Sequence, residues 1–169
     1  MILRNLYILI LFTAISSHLK AQQAKTAYPK VVGYISVVHP IITAYQNETV
    51  YNFKKDYTVG FPVGINILNS DKIGFTFEIT PFIKSVNGKA SVSNLLFHPG
   101  VILRYPKGFT ITNRMAFETS GRFGYTAVFG KVIAKTPMHN FFVAMPVPFR
   151  FGANKTFSVG ANLIMGITF

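Results

Sequence analysis

At 169 residues the chain is long enough for one domain with a sizeable core. Half of its residues are hydrophobic and only 13% are charged, well below the roughly 25–35% that keeps a water-facing surface soluble; cysteine is absent, which excludes a disulfide framework, a thiolate metal site and a lipoprotein acylation cysteine. Seventeen basic residues against five acidic ones give +12, but they are scattered, with no run longer than Lys54-Lys55, so the charge suits anionic lipid head groups better than nucleic acid.

Met1–Ala21 reads as a secretory leader. Arg4 makes the positive start, Leu6–Ile15 the apolar stretch, and Ser16–Ala21 a polar region ending at the expected cleavage point. Residues 22–169 then form the mature domain. No later stretch reaches the ~18 apolar residues of a helical span, so strands must make any membrane crossing.

Gln22–Lys30 is a polar lead-in. Val31–Tyr45 is a first strand, apolar on both faces and interrupted by Pro40, and Gln46–Asp56 is the longest polar interruption, expected as an exposed loop. Tyr57–Leu68 alternates cleanly, with Tyr57, Val59, Phe61, Val63, Ile65 and Ile67 on one face. A turn at 69–72 leads into Ile73–Lys84, and Asn87-Gly88 marks the next hairpin before Ser91–Tyr105. Pro106-Lys107-Gly108 turns the chain into Phe109–Ser120. Gly121-Arg122 turns it again into Phe123–Lys135, the weakest pattern of the set and readable as a long loop. Met138–Gly152 precedes the last strand, Thr156–Phe169, whose odd positions from Phe157 to Phe169 are all apolar. Eight strands result, and an even count keeps both ends of the chain on one side of a membrane. The last strand, Thr156–Phe169, is longer than the ~9–11 residues needed to cross a bilayer at a tilt.

The expected fold is all-β, an eight-stranded antiparallel up-and-down transmembrane β-barrel. The minority face of each strand carries Gly, Thr, Ser, Asn and Ala where a soluble barrel would carry Lys and Glu, and small residues suit the narrow interior of eight strands. Tyr45, Tyr57, Tyr105, Phe109, Phe151 and Phe157 stand near strand ends, as interfacial girdles require. Apolar side chains therefore point to lipid. Glu78, Arg104, Arg114, Glu118 and Arg150 then fall on the inner face, two carboxylates among three arginines, and are expected to pair and plug the lumen. The surplus arginine offers a second reading, an anion-binding pocket.

Of the histidines, His18 leaves with the leader, and His39, His98 and His139 lack metal-ligand spacing. No cofactor and no metal is expected. A lipid-modifying enzyme on this architecture needs a nucleophile within reach of a base, and His98 in LFHPG has no serine at alternate spacing beside it. Pro62, Pro99, Pro146 and Pro148 lie inside strands, where bulges or kinks are expected.

The leader ending in AQQ, the eight amphipathic strands and the terminal Phe169 together resemble the small outer-membrane β-barrel proteins of Bacteroidetes-type bacteria. They are similar, more widely, to the membrane domain of outer-membrane protein A. Leu163, Met165, Ile167 and Phe169 in LIMGITF resemble the terminal signal read by the barrel-assembly machinery. The resemblance implies export, delivery by periplasmic chaperones, assembly by that machinery and residence as a monomer in the outer membrane of a Gram-negative bacterium. Its partners would be outer-membrane lipid, with any surface contact carried by the loops. The rival expectations are an outer-membrane lipid-modifying enzyme and a soluble, lipocalin-like periplasmic carrier of a hydrophobic ligand.

Overall fold

The structure is a computed structural model describing residues 27–54, 56–152 and 156–169; the leader 1–21 lies outside the described residues. Its strands are β1 (Lys30–Tyr45), β2 (Thr49–Tyr51), β3 (Tyr57–Gly60), β4 (Val63–Leu68), β5 (Ile73–Val86), β6 (Lys89–Arg104), β7 (Phe109–Glu118), β8 (Arg122–Lys135), β9 (Asn140–Gly152) and β10 (Ser158–Thr168). β3 and β4 are two halves of one wall strand, and β2 is a short flap paired to the end of β1. Each wall strand pairs antiparallel with its neighbour in sequence, and β10 pairs with β1 from Tyr34↔Thr168 to Tyr45↔Ser158. The sheet is thus closed into an eight-stranded up-and-down barrel with no free edge. Residues 123–135, the weakest of the sequence patterns, form a full wall strand in β8.

Period-2 alternation sets which side chains face in. Outward-facing Met115 and Met145 are 51% and 49% exposed, whereas inward-facing Thr76 and Thr126 are 0% and 1% exposed. Apolar outside and polar inside inverts the arrangement of a water-soluble barrel. Val38, Val128, Ala144 and Ile164 form an apolar cluster in the interior, with Phe82 and Phe142 packed against it. Glycine lets the walls approach: a Cβ on Gly124 would stand 1.9 Å from the Phe149 carbonyl oxygen, and one on Gly100 would stand 2.1 Å from that of Asn113.

The hairpin at Asn87 (φ 51°) and Gly88 (φ 76°) has the two positive φ values that an Asn-Gly two-residue turn supplies. The two ends of the barrel are unlike. One, the near end, holds Lys30, Thr168 and the turns at 69–72, 106–108 and 136–139. The far end holds the β1–β3 loop and the turns at 87–88 and 119–121. The β1–β3 loop, expected to be exposed, is partly ordered. Asn52 is buried and clasps the start of β3 by two hydrogen bonds, both 2.7 Å, to the backbone carbonyl and N–H of Thr58.

Bulges fall elsewhere than at most of the prolines. Register shifts by one residue between Pro40 and Ile42, between Phe82 and Ile83 against β6, and between Val132 and Ala134. Pro62, Pro99, Pro146 and Pro148 cause no shift; pairing lapses beside each and resumes in unchanged register. A missing N–H costs one ladder bond, which a barrel wall with two neighbours per strand absorbs without an inserted residue. The bulge near Pro40 also corrects the expected girdle. One extra residue reverses the parity beyond it, so Tyr45 pairs with inward-facing Ser158 and lines the far-end cavity instead of facing out.

The other aromatic positions form bands at both ends. At the far end Phe123, Phe151 and Phe157 stack at 6.1 and 5.0 Å, with Phe149 and Tyr125 adjoining them. Tyr105 and Phe109 meet at 6.0 Å near the opposite rim.

Candidate functional site

The polar side chains of the inner face meet in two connected layers that cross the lumen. In the first, β5 presents Glu78, opposite His98 on β6 in register. The Glu78 carboxylate accepts from Arg114 Nη1 of β7 at 2.8 Å and from the Tyr34 hydroxyl of β1 at 2.9 Å. Its other oxygen is 3.2 Å from both the Thr80 hydroxyl and His98 Nδ1. Arg114 Nη2 donates to Tyr34 Oη at 2.7 Å and to Thr76 Oγ1 at 3.1 Å. One carboxylate thus gathers side chains from β1, β5, β6 and β7 around a single charge pair. All five of Tyr34, Thr76, Glu78, His98 and Arg114 are buried.

The second layer lies toward the far end. Arg150 Nε of β9 donates to Glu118 Oε1 of β7 at 2.7 Å, and its Nη1 reaches Thr126 Oγ1 at 3.0 Å. Thr126 joins the layers, because His98 Nε2 is 2.9 Å from the same hydroxyl. Arg122, the first residue of β8, turns inward beside them. Its Nη2 donates to Ser158 Oγ at 2.9 Å and to the carbonyls of Arg150 and Thr156 at 3.2 Å each.

The five expected inner charges divide unevenly. Glu78 with Arg114 and Glu118 with Arg150 come together as two close ion pairs. Arg104 stands apart: it ends β6 at the near-end rim, half-exposed, and shares a cavity with Tyr28 and Asp71. Face parity places Arg104 on the inner side correctly, but its height on the strand keeps it out of the plug. Outside the strands at that rim, Asp71 accepts a hydrogen bond from the Tyr28 hydroxyl and thereby raises the pKa of the phenol.

Tyr34 and Arg122 are members that sequence reading missed. β1 carries apolar residues on both faces, which hides the inward parity shared by Tyr34, Ser36 and Val38, and Arg122 follows a turn glycine. Leu163 and Met165 lie on the outer face of β10, Phe169 just past its end is exposed on the same side, and Ile167 pairs with Ile35 of β1 at the seam that closes the cylinder.

The plug divides the lumen. A pocket of about 340 Å³ opens at the far end, one of about 100 Å³ lies between Tyr34, Phe142 and Lys131 toward the near end, and only about 30 Å³ is left beside His98 and Thr126. Chemically, Glu78, His98 and Thr126 form a carboxylate–imidazole–hydroxyl chain, the order of groups that activates a nucleophile. The Thr126 hydroxyl is sealed between the layers and also accepts from Arg150, so no substrate-sized space adjoins it. Among the described residues, no group of three His, Asp or Glu side chains gathers in a metal-binding arrangement.

A solved protein from work on the de novo design of transmembrane β-barrels aligns with this chain at a TM-score of 0.56 and 12% identity, over 83% of this chain and 94% of that one. The solution structure of the de novo designed TMB2.3 aligns at a TM-score of 0.50 and 12% identity, over 83% of this chain and 93% of that one. At this identity the likeness is one of fold. No family model matches the sequence, and no curated protein does. The chain therefore has the fold of a small transmembrane β-barrel.

Proposed function

We propose that the chain is an integral outer-membrane β-barrel of a Gram-negative bacterium, with a structural or surface-interaction role and a lumen closed by side chains. The observation that carries this reading is the inverted barrel: an apolar outer band, aromatic at both rims, around a buried network of two ion pairs. The leader at residues 1–21 supports export. The terminal strand, with Leu163, Met165, Ile167 and Phe169 at the closing seam, supports assembly by the barrel-assembly machinery after escort by periplasmic chaperones. The resemblance to Bacteroidetes-type barrels and to the membrane domain of outer-membrane protein A belongs to the same reading. A monomer is sufficient, since every wall strand already has two neighbours.

Expression in a Gram-negative host followed by density-gradient separation of the two membranes tests the proposal. Recovery with the outer membrane, resistant to carbonate extraction, is the expected result. Recovery in the soluble periplasmic extract would overturn it in favour of a carrier. A lipid-modifying enzyme has one observation on its side, the chain Glu78–His98–Thr126. His98→Ala with a mass-spectrometric readout of lipid A decides that alternative, and on the plug reading the lipid is the same with either form.

A further inference from the structure

The near-end rim carries a concavity of about 880 Å³ at the ends of β6, β7 and β8. Its lining is of two kinds. Lys72, Arg104, Lys107 and Lys135 supply cations, and Leu103, Tyr105 and Phe109 supply an apolar and aromatic side. Face parity makes the division. Arg104 ends β6 at an inward position, whereas Leu103 pairs with exposed Ile73 and Phe109 with exposed Lys131 on the outward face. The concavity therefore straddles the edge of the wall, with charge toward the mouth and rings toward the lipid side.

The positive charge at this rim is unanswered by the chain itself. Asp71 is the one acidic side chain in the lining, and it accepts from the Tyr28 hydroxyl. Glu48 and Asp56 belong to the far-end loop, and Glu78 and Glu118 to the two lumen layers, which accounts for every acidic residue of the sequence. The ion pairs among the described residues engage Lys84, His98, Arg114 and Arg150, and none of the near-end cations. Lys131 adds a further cation on the outward face. It is exposed, stands opposite Phe109 in register, and donates from Nζ to the Lys107 carbonyl at 2.7 Å. That bond holds an ammonium at the level of the aromatic band, and its remaining N–H donors have no acceptor among the described residues.

Unpaired cations beside exposed rings, at the edge of a lipid-facing wall, match an anion that carries hydrocarbon chains. A soluble anion would use the cations and leave the apolar side idle, and a zwitterionic lipid would bring its own ammonium against them. We propose that the near-end rim binds an anionic phospholipid, its phosphate among Lys107, Lys131 and Arg104 and its chains along Tyr105 and Phe109. The inference rests on the membrane-barrel reading of the outer wall and names the lipid class and the place where that wall selects it.

The test uses the folded wild-type protein in a neutral detergent, with native mass spectrometry reading the lipid it retains. Mobility in SDS with and without boiling is checked first, so that a failure of the membrane-barrel reading shows there and not in the lipid count. Phosphatidylglycerol is expected to be retained about tenfold more than phosphatidylcholine of the same chains. Lys107→Gln with Lys131→Gln, both exposed, is expected to lose about fivefold or more of that preference. Lys54→Gln with Lys89→Gln removes the same charge from exposed positions at the far end and is expected to leave the preference unchanged. Glycerol 3-phosphate, which has the phosphate without the chains, is expected not to displace the lipid at equal concentration. Equal retention of the two lipids, or equal loss in the two double variants, overturns the proposal. Displacement by glycerol 3-phosphate overturns it as well, because the cations would then be acting alone on a soluble anion.

Discussion

Glu78 organises the first layer of the interior, because four side chains orient on its carboxylate. Removing Arg114 would leave that carboxylate buried with only neutral or weakly charged partners. Breaking a buried pair from one side costs about 3–5 kcal/mol, whereas replacing both partners by neutral groups is often close to neutral. Arg114→Met is therefore expected to lower the urea midpoint of the refolded protein strongly, and Glu78→Gln with Arg114→Met to recover most of the loss. Equal losses in the single and double variants would show that the pair is not the organising contact. The four members of the plug pairs are legible in the sequence, though which carboxylate meets which arginine is not. Glu78, Arg114, Glu118 and Arg150 each sit at the inward parity of a cleanly alternating strand, and a charge there needs a partner. Height along the lumen is not legible in the sequence: face parity groups Arg104 with these four although it stands at the rim, and Arg122, beside a turn glycine, reads as part of the turn although it enters the far-end layer.

Strands were easier to read than their irregularities. Alternation of large apolar with small polar residues is imposed at every position by lipid on one side and a narrow lumen on the other, which is why all eight wall strands could be placed. Bulges need only one extra residue and leave little trace: the one that changes parity before Tyr45 stands beside Pro40, while Pro62, Pro99, Pro146 and Pro148 interrupt pairing without shifting register. Two predictions belong to individual strands. Phe169 exchanges two backbone hydrogen bonds of 3.0 Å with Gly33, and its ring covers the outer side of that glycine. Deleting Phe169 is expected to cut the yield of folded barrel severalfold in a refolding assay, and an unchanged yield would contradict that role at the seam. On β9, Met145 stands halfway along the outer face. Met145→Arg is expected to cost about 2–4 kcal/mol in lipid vesicles if that face meets the bilayer midplane. In a barrel whose outer face met water, the same change would cost almost nothing.

For the molecule as a whole, closure and inversion act together. Closing β10 on β1 satisfies the backbone within the cylinder, and facing apolar side chains outward makes lipid the solvent of the outer wall. The two ion-pair layers then close the middle of the interior that eight strands enclose, separating the far-end pocket of about 340 Å³ from the space toward the near end. Planar-bilayer recording is expected to show no stepwise ion conductance, and regular steps would mean that the plug opens. The most direct test of a closed, lipid-facing barrel is electrophoretic mobility in SDS of the membrane-extracted protein, with and without boiling. A closed barrel predicts two mobilities, the unboiled form converting to the boiled one only on heating. A single mobility for both samples, with the protein found in the soluble extract, would contradict it.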